Sequence, residues 1–250
     1  MRATARLNRT STLTARRKGG DSALALATDE ARRKANGIHY TPPLLAAYLA
    51  EQVMKGLIAG RTPIGEIAVL DPACGEGELL KAIVDAAPHT WRARLRLTGF
   101  DMDENALART RSLLEDSGVA SVDLHAEDFL SHVDRIEGAS QMDFLRPPVR
   151  REQILFDAAI SNPPYVRTQI LGSASARELA ARFDLTGRVD LYHAFVKAMT
   201  LLLREGGILG LLTSNRFLTV QSGYSMRDWL ASQFRLRRLV DLGDTKLFDA

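Results

Sequence analysis

A single cysteine, Cys74, stands in the whole sequence. It excludes an internal disulfide framework and a cysteine-rich zinc site, and such usage fits a reducing, cytoplasmic setting. No uninterrupted apolar run approaches the ~18 residues of a membrane span, so no membrane partner is expected. Acids are missing from the start of the chain: Arg2, Arg6, Arg9, Arg16, Arg17 and Lys18 all precede Asp21. Residues 1–36 therefore read as a basic, Thr-rich, flexible arm, a solvated tail in preference to a phosphate-binding segment. An Arg-rich, acid-free start also suits a transit peptide, but no clear amphipathic pattern supports one. Repeats and low-complexity stretches are absent as well. What is there suffices for a sizeable core: 250 residues, 46% hydrophobic and 25% charged, fit one large domain over residues 37–250 better than two.

The chain is organised around Ser161-Asn162-Pro163-Pro164-Tyr165. This turn follows the apolar run Phe156–Ile160 and so belongs at the carboxyl end of a strand, where open α/β sheets hold their ligands. Two consecutive prolines fix φ near −65° and keep the residue before each of them out of the helical region. A stiff turn of this kind offers carbonyl oxygens and the Asn162 amide oxygen as acceptors, with no acid or base, and sets the flat ring of Tyr165 beside them. Its natural guest is a planar group bearing an NH2. An ordinary turn with an Asn cap would use the same residue types, so the decision rests on the remainder of the chain.

Ile67–Asp71, the loop Pro72-Ala73-Cys74-Gly75-Glu76-Gly77, and Leu79, Leu80, Ile83 and Val84 at helical spacing read as strand, glycine loop and helix. Gly75 and Gly77 let the backbone approach a ligand where a Cβ would collide. The third glycine of a dinucleotide fingerprint is missing, because position 80 is Leu. Cys74 has no His in a recognisable pairing and is not expected to act as a nucleophile. Leu95–Asp101 is a second strand, followed by a helix from Asp103 or Glu104 to the Gly118 stop. Asp101 closes the strand where an acid can accept from both ribose hydroxyls, or else caps the helix. It lies thirty residues after Asp71, more than the usual ~20, and extra residues between Pro88 and Arg94 account for that. A third strand, Val119–Leu124, leads to Asp128-Phe129, while His125 and His132 read as surface residues and not metal ligands.

Upstream, Thr41 is a good N-cap and Pro42 suits the first helical position, with a helix through Leu44, Leu45, Tyr48, Leu49, Gln52 and Val53 toward Lys55. Ser131 to Gln153 loses periodicity, and Val166 to Arg188 is polar enough for a mobile lid. Asp190 opens a helix stopped at Gly206-Gly207, Ile208–Thr213 is an apolar strand of the type buried on both faces, and Leu236–Leu242 is a further strand.

Asp71-Pro72-Ala73-Cys74-Gly75-x-Gly77 and Asn162-Pro163-Pro164-Tyr165 closely resemble the cofactor loop and catalytic turn of N6-adenine DNA methyltransferases, which use S-adenosylmethionine. Asp190-Leu191-Tyr192, then Gly207-x-x-Gly210 and Ser214-Asn215-Arg216-Phe217-Leu218, resemble the type IIG or Eco57I-like branch, and the motifs keep the family's order from Gly37 to Ala250. The resemblance implies an α/β, Rossmann-like S-adenosylmethionine-dependent methyltransferase fold with a mostly parallel, doubly wound sheet. It also implies that the final antiparallel strand and the target-recognition domain lie outside these residues. By the same resemblance, Tyr40, Thr41, Asp71, Ala73, Cys74, Gly75, Gly77, Asp101, Asp128, Phe129 and Asn162 bind the cofactor. Asn162, Pro163, Pro164 and Tyr165 carry catalysis, Tyr165 and Phe248 stack on a flipped adenine of double-stranded DNA, and no metal is needed. A restriction or specificity subunit is the implied partner. Glu78 stands where the family commonly has an aromatic residue. Two rivals remain: methyl transfer to RNA bases or protein glutamine, which Thr-Pro-Pro and Asp-Leu-Tyr disfavour, and a non-catalytic cofactor- or DNA-binding subunit of a defence complex, which the intact turn disfavours.

Overall fold

The computed structural model describes residues 41–60, 65–141, 155–164, 181–183, 191–214, 218 and 223–243. The basic arm, Tyr40, the connection at 146–151, Tyr165, most of the polar stretch 166–188 and Phe248 lie outside the described residues. In chain order the elements are α1 (Pro43–Ala59), β1 (Ile67–Asp71), α2 (Glu78–Ala86), α3 (His89–Arg92), β2 (Leu95–Asp101), α4 (Glu104–Leu114), β3 (Ser121–Ala126), α5 (Phe129–Gln141), β4 (Phe156–Ser161), α6 (Leu191–Leu202), β5 (Leu203–Leu211) and α7 (Tyr224–Gln233).

Among the described residues the five strands form one sheet in the order β3-β2-β1-β4-β5, all pairs parallel. Every residue of β1 and β4 is buried, as expected of central strands covered on both faces. One layer packs Ala50, Val53, Leu80, Ile83 and Leu107 against Ile67, Val69 and Ile160. The other packs Phe129, Val133, Phe195 and Met199 against Ala68, Leu70 and Ala159. The chain runs outward through β1, β2 and β3, then returns to lay β4 on the other side of β1. That reversal makes the carboxyl ends of β1 and β4 the topological switch point, the crevice where doubly wound sheets bind ligands.

The α/β, Rossmann-like expectation is met, and the short helix α3 supplies the extra residues between Asp71 and Asp101. Several local expectations need correction. Pro42 and not Thr41 is the N-cap of α1, with no side-chain cap bond, and Pro43 occupies the first helical position. The helix runs on to Ala59, and Leu44 and Tyr48, expected on its apolar face, are exposed. The stretch from Ser131, read as aperiodic, continues α5 as far as Gln141. Gly206-Gly207 does not stop α6; β5 begins at Leu203 and absorbs the pair at an irregularity opposite Phe156–Ala158. Leu236–Leu242 forms no strand, and Leu236, Leu239, Val240 and Leu242 are exposed: β propensity alone does not make a strand.

Candidate active site at the switch point

The loop after β1 is held by contacts that leave little freedom. Asp71 Oδ1 accepts from Ala73 N at 3.2 Å, and Cys74 N donates to Phe100 O at 2.9 Å, tying the loop to β2. Gly75 N donates to Asp101 Oδ2 at 3.0 Å, while Gly75 O accepts from the Thr110 hydroxyl of α4 at 2.8 Å. Gly77 has φ +90°, and a Cβ there would lie 2.7 Å from Thr110 Cγ2, so glycine is required by both conformation and space. Gly75, at φ +54°, has open space where its Cβ would stand. It forms a cradle that a side chain would fill.

Two carboxylates flank the loop, and the charge of Asp101 disfavours that of Asp71. Asp71 is fully buried, and desolvation, reinforced by Asp101 and Glu78, pushes its carboxyl up to about 8. Its Oδ2 is buried without a hydrogen-bond partner, and the neighbouring Ser161 hydroxyl offsets little of the rise. Burial also raises Asp101, more than the N–H groups of Asp103 and Gly75 lower it. Asp103, not Asp101, caps α4, by accepting from Asn105 N at 2.9 Å. Asp101 is thus free of capping duty and aligned with the glycine loop. The Cys74 thiol is buried beside Asp71 and Asp101, and desolvation drives it well above the usual thiol range, so it stays protonated and inert.

At the neighbouring strand end, Asn162 Nδ2 donates to Thr41 Oγ1 at 3.1 Å. Asn162 Oδ1 is buried and has no partner among the described residues. Pro163, which has no N–H to offer, is buried, and Pro164 is half-buried. An unpaired acceptor in such a place costs roughly 1–3 kcal/mol until a donor arrives.

Not every expected site residue points the expected way. Asp128 caps α5 through Ser131 N (2.9 Å) and Ser131 Oγ (2.7 Å), a common task for an acid in that place. Phe129 does not present its face to the crevice: it is 1% exposed, with its ring in the core 5.3 Å from Phe100 and 5.7 Å from Phe195. His125 stacks on Phe100 at 4.6 Å, and His132 sits 2.7 Å from Glu127; both are half-buried. Burial works to raise Glu127, but Arg135 and His132 outweigh it and hold the carboxyl below the usual range. Thr110 was not legible as a site residue. Its signal is a lone hydroxyl on the buried stripe of α4, also donating to Ala106 O at 3.1 Å.

The Eco57I restriction-modification methylase model matches residues 89–248. The type II methyltransferase M.BanIII of Aneurinibacillus aneurinilyticus is 40% identical over 218 residues, which cover 87% of this chain and 37% of the relative. M.PaeR7I of Pseudomonas aeruginosa is 29% identical over 214 residues, covering 76% of this chain and 35% of its own length. The chain thus spans about a third of the length of these curated relatives. Among solved structures, the DrdV–DNA complex aligns with a TM-score of 0.61 at 18% identity, over 84% of this chain and 24% of that one. The type IIG restriction endonuclease BpuSI aligns with a TM-score of 0.58 at 19% identity, over the same two shares. At such identities these two likenesses show the fold alone.

Proposed function

The chain belongs to the Eco57I restriction-modification methylase family, and on that premise we propose that it is the catalytic part of a site-specific DNA methyltransferase acting on the N6 amino group of adenine with S-adenosylmethionine. The observation that carries the reading is the buried, unpartnered Oδ1 of Asn162 at the end of β4, next to a proline that cannot donate. It is an acceptor waiting for an N–H.

The residues at the switch point fit the cofactor. Gly75 leaves open the space a Cβ would fill, Gly77 keeps the loop tight, Asp101 closes β2 with a carboxylate suited to ribose hydroxyls, and Asp128, two residues beyond β3, has a carboxylate suited to an adenine amino group. Tyr40, Asp71, Ala73, Cys74 and the backbone of Thr41 complete the enclosure in this reading. When bound, S-adenosylmethionine supplies a methyl group made electrophilic by its sulfonium.

The exocyclic nitrogen of adenine is a poor nucleophile because its lone pair is delocalised into the ring, and its hydrogens are too weakly acidic for a side chain to remove. Activation is therefore electrostatic. Asn162 Oδ1 accepts one N–H and the Pro163 carbonyl the other, stabilising the positive charge that grows as the nitrogen becomes tetrahedral; preorganised contacts of this kind contribute roughly 3 kcal/mol each. The surplus proton then passes to water. The stiffness of two adjacent prolines keeps both acceptors in place, and such positioning supplies part of the rate. An adenine in duplex DNA must leave the stack to reach this turn, at a cost of a few kcal/mol that stacking on Tyr165 and Phe248 offsets. Base reading is assigned to a target-recognition domain or specificity subunit, with a restriction activity as the functional partner. A DNA substrate implies a cytoplasmic location; no helix among the described residues is long and apolar enough to cross a membrane.

Transfer of labelled methyl from S-adenosylmethionine to genomic DNA, RNA and protein, with unaltered protein and with Asn162→Ala, tests the proposal. DNA alone should be labelled, at N6 of adenine. Asn162→Ala should lower the rate roughly 10²- to 10³-fold, with cofactor affinity by calorimetry nearly intact. Labelling of RNA or protein instead, or full activity of the variant, would overturn it.

A further inference from the structure

Two turns of the same kind meet at this site. Thr41 precedes Pro42 and Pro43, and Asn162 precedes Pro163 and Pro164. A residue before proline is held in the extended region and the prolines after it are fixed in φ, so each turn presents its polar side chain from a stiff support. Thr41 stands where a threonine would ordinarily cap α1, but Pro42 takes that place and no side chain caps the helix. The hydroxyl is used elsewhere. It is buried, at 6% exposure, and accepts from Asn162 Nδ2 across 121 residues of sequence.

We propose that Thr41 is a positioning residue for Asn162: its hydroxyl engages the NH2 end of the amide so that Oδ1 is the atom presented to the amine of the target. This rests on the reading of Asn162 as the acceptor for that amine. An amide has a donor end and an acceptor end, and only the acceptor end is of use here. Turned over, it would set NH2 against NH2. The hydroxyl could meet the reversed amide by donating to Oδ1, but both N–H groups would then stand in the buried place that the unpartnered Oδ1 occupies in the arrangement observed.

The seat of Thr41 is equally firm. Helix α1 lies close on β5: a Cβ on Gly210 would fall 2.4 Å from Val53 Cγ2, and one on Gly56 would fall 3.1 Å from Ile208 Cδ1. That close approach, on the strand next to β4, sets the distance between the two Pro-Pro turns.

Thr41→Val keeps the shape and removes the hydroxyl, whereas Thr41→Ser keeps the hydroxyl. Single-turnover methyl transfer at saturating cofactor should slow roughly 10- to 100-fold in Thr41→Val, with cofactor affinity unchanged, and Thr41→Ser should recover most of it. Independently of activity, the Asn162 side-chain NH2 resonances should shift and exchange faster in Thr41→Val and return in Thr41→Ser. A wild-type rate in Thr41→Val, a loss confined to cofactor affinity, or amide resonances that do not move would each overturn the tether. If the resonances behave as expected but the unaltered protein transfers no methyl to DNA, the tether stands and the adenine reading falls.

Discussion

Replacing Asp71 by Asn removes the ionisable group of the most enclosed carboxyl of the site while keeping its shape. Asn can still accept from Ala73 N, and its NH2 would face the Ser161 hydroxyl, which has no other hydrogen-bond partner among the described residues. Burial, with Asp101 and Glu78 nearby, raises the Asp71 carboxyl from 3.8 to about 8 in the folded protein. A raised carboxyl contributes stability that is fully present below the unfolded value and is lost as pH rises toward the folded one. Between about pH 4 and pH 7 the unfolded chain has released this proton and the folded chain has not, so stability falls by ~1.36 kcal/mol per pH unit, roughly 4 kcal/mol in all. The quantity to read is the difference in unfolding free energy between Asp71→Asn and unaltered protein, by urea denaturation at pH 4, 5.5 and 7, because other titrating groups cancel in it. The two should be nearly equal at pH 4, and the variant should gain steadily above it. A difference that stays flat, or that moves in favour of the unaltered protein as pH rises, would refute the assignment of a neutral, desolvated Asp71.

Gly77→Ala should cost roughly 2–4 kcal/mol, from the left-handed backbone and the collision with Thr110, and weaken cofactor binding. Adding Thr110→Ser removes the colliding methyl but keeps the hydroxyl bonded to Gly75 O, so a double-mutant cycle should show partial recovery; none would contradict the contact. Asp157, buried in β4, accepts from Ala68 N at 2.8 Å and pairs with Arg204 at 2.8 Å. Asp157→Ala should cost roughly 2–3 kcal/mol by urea denaturation, since it strands an N–H inside the sheet, whereas Asp157→Asn should cost clearly less.

The site was largely legible where its logic is local. The Asn162-Pro163-Pro164 turn, the strand, loop and helix around Gly75 and Gly77, and the acid closing β2 each announce themselves within a few residues, because proline restricts φ, glycine permits the left-handed region and strand burial makes an unbroken apolar run. Elsewhere local reading chose wrongly. Thr41 looked like a helix cap by composition alone, Phe129 stood among the cofactor-binding residues by resemblance, and Leu236–Leu242 had the residues of a strand.

From the sequence by itself came the fold class, the order of the strand-ending acids and the turn that offers acceptors. The strands, the glycine loop and the turn follow from backbone restrictions and periodicities that act over one or two turns of chain, and the fold class from the family that their motifs resemble. Only the tertiary structure decided that the Thr41 hydroxyl meets Asn162, that Thr110 locks Gly75, that Phe129 is spent on the core and that Leu236–Leu242 is not a strand. Hydrogen bonds across 121 or 35 residues, and the pairing of strands, depend on which surfaces the packed sheet brings together. A hydroxyl or an apolar side chain carries the same local preference whichever partner it ends up facing.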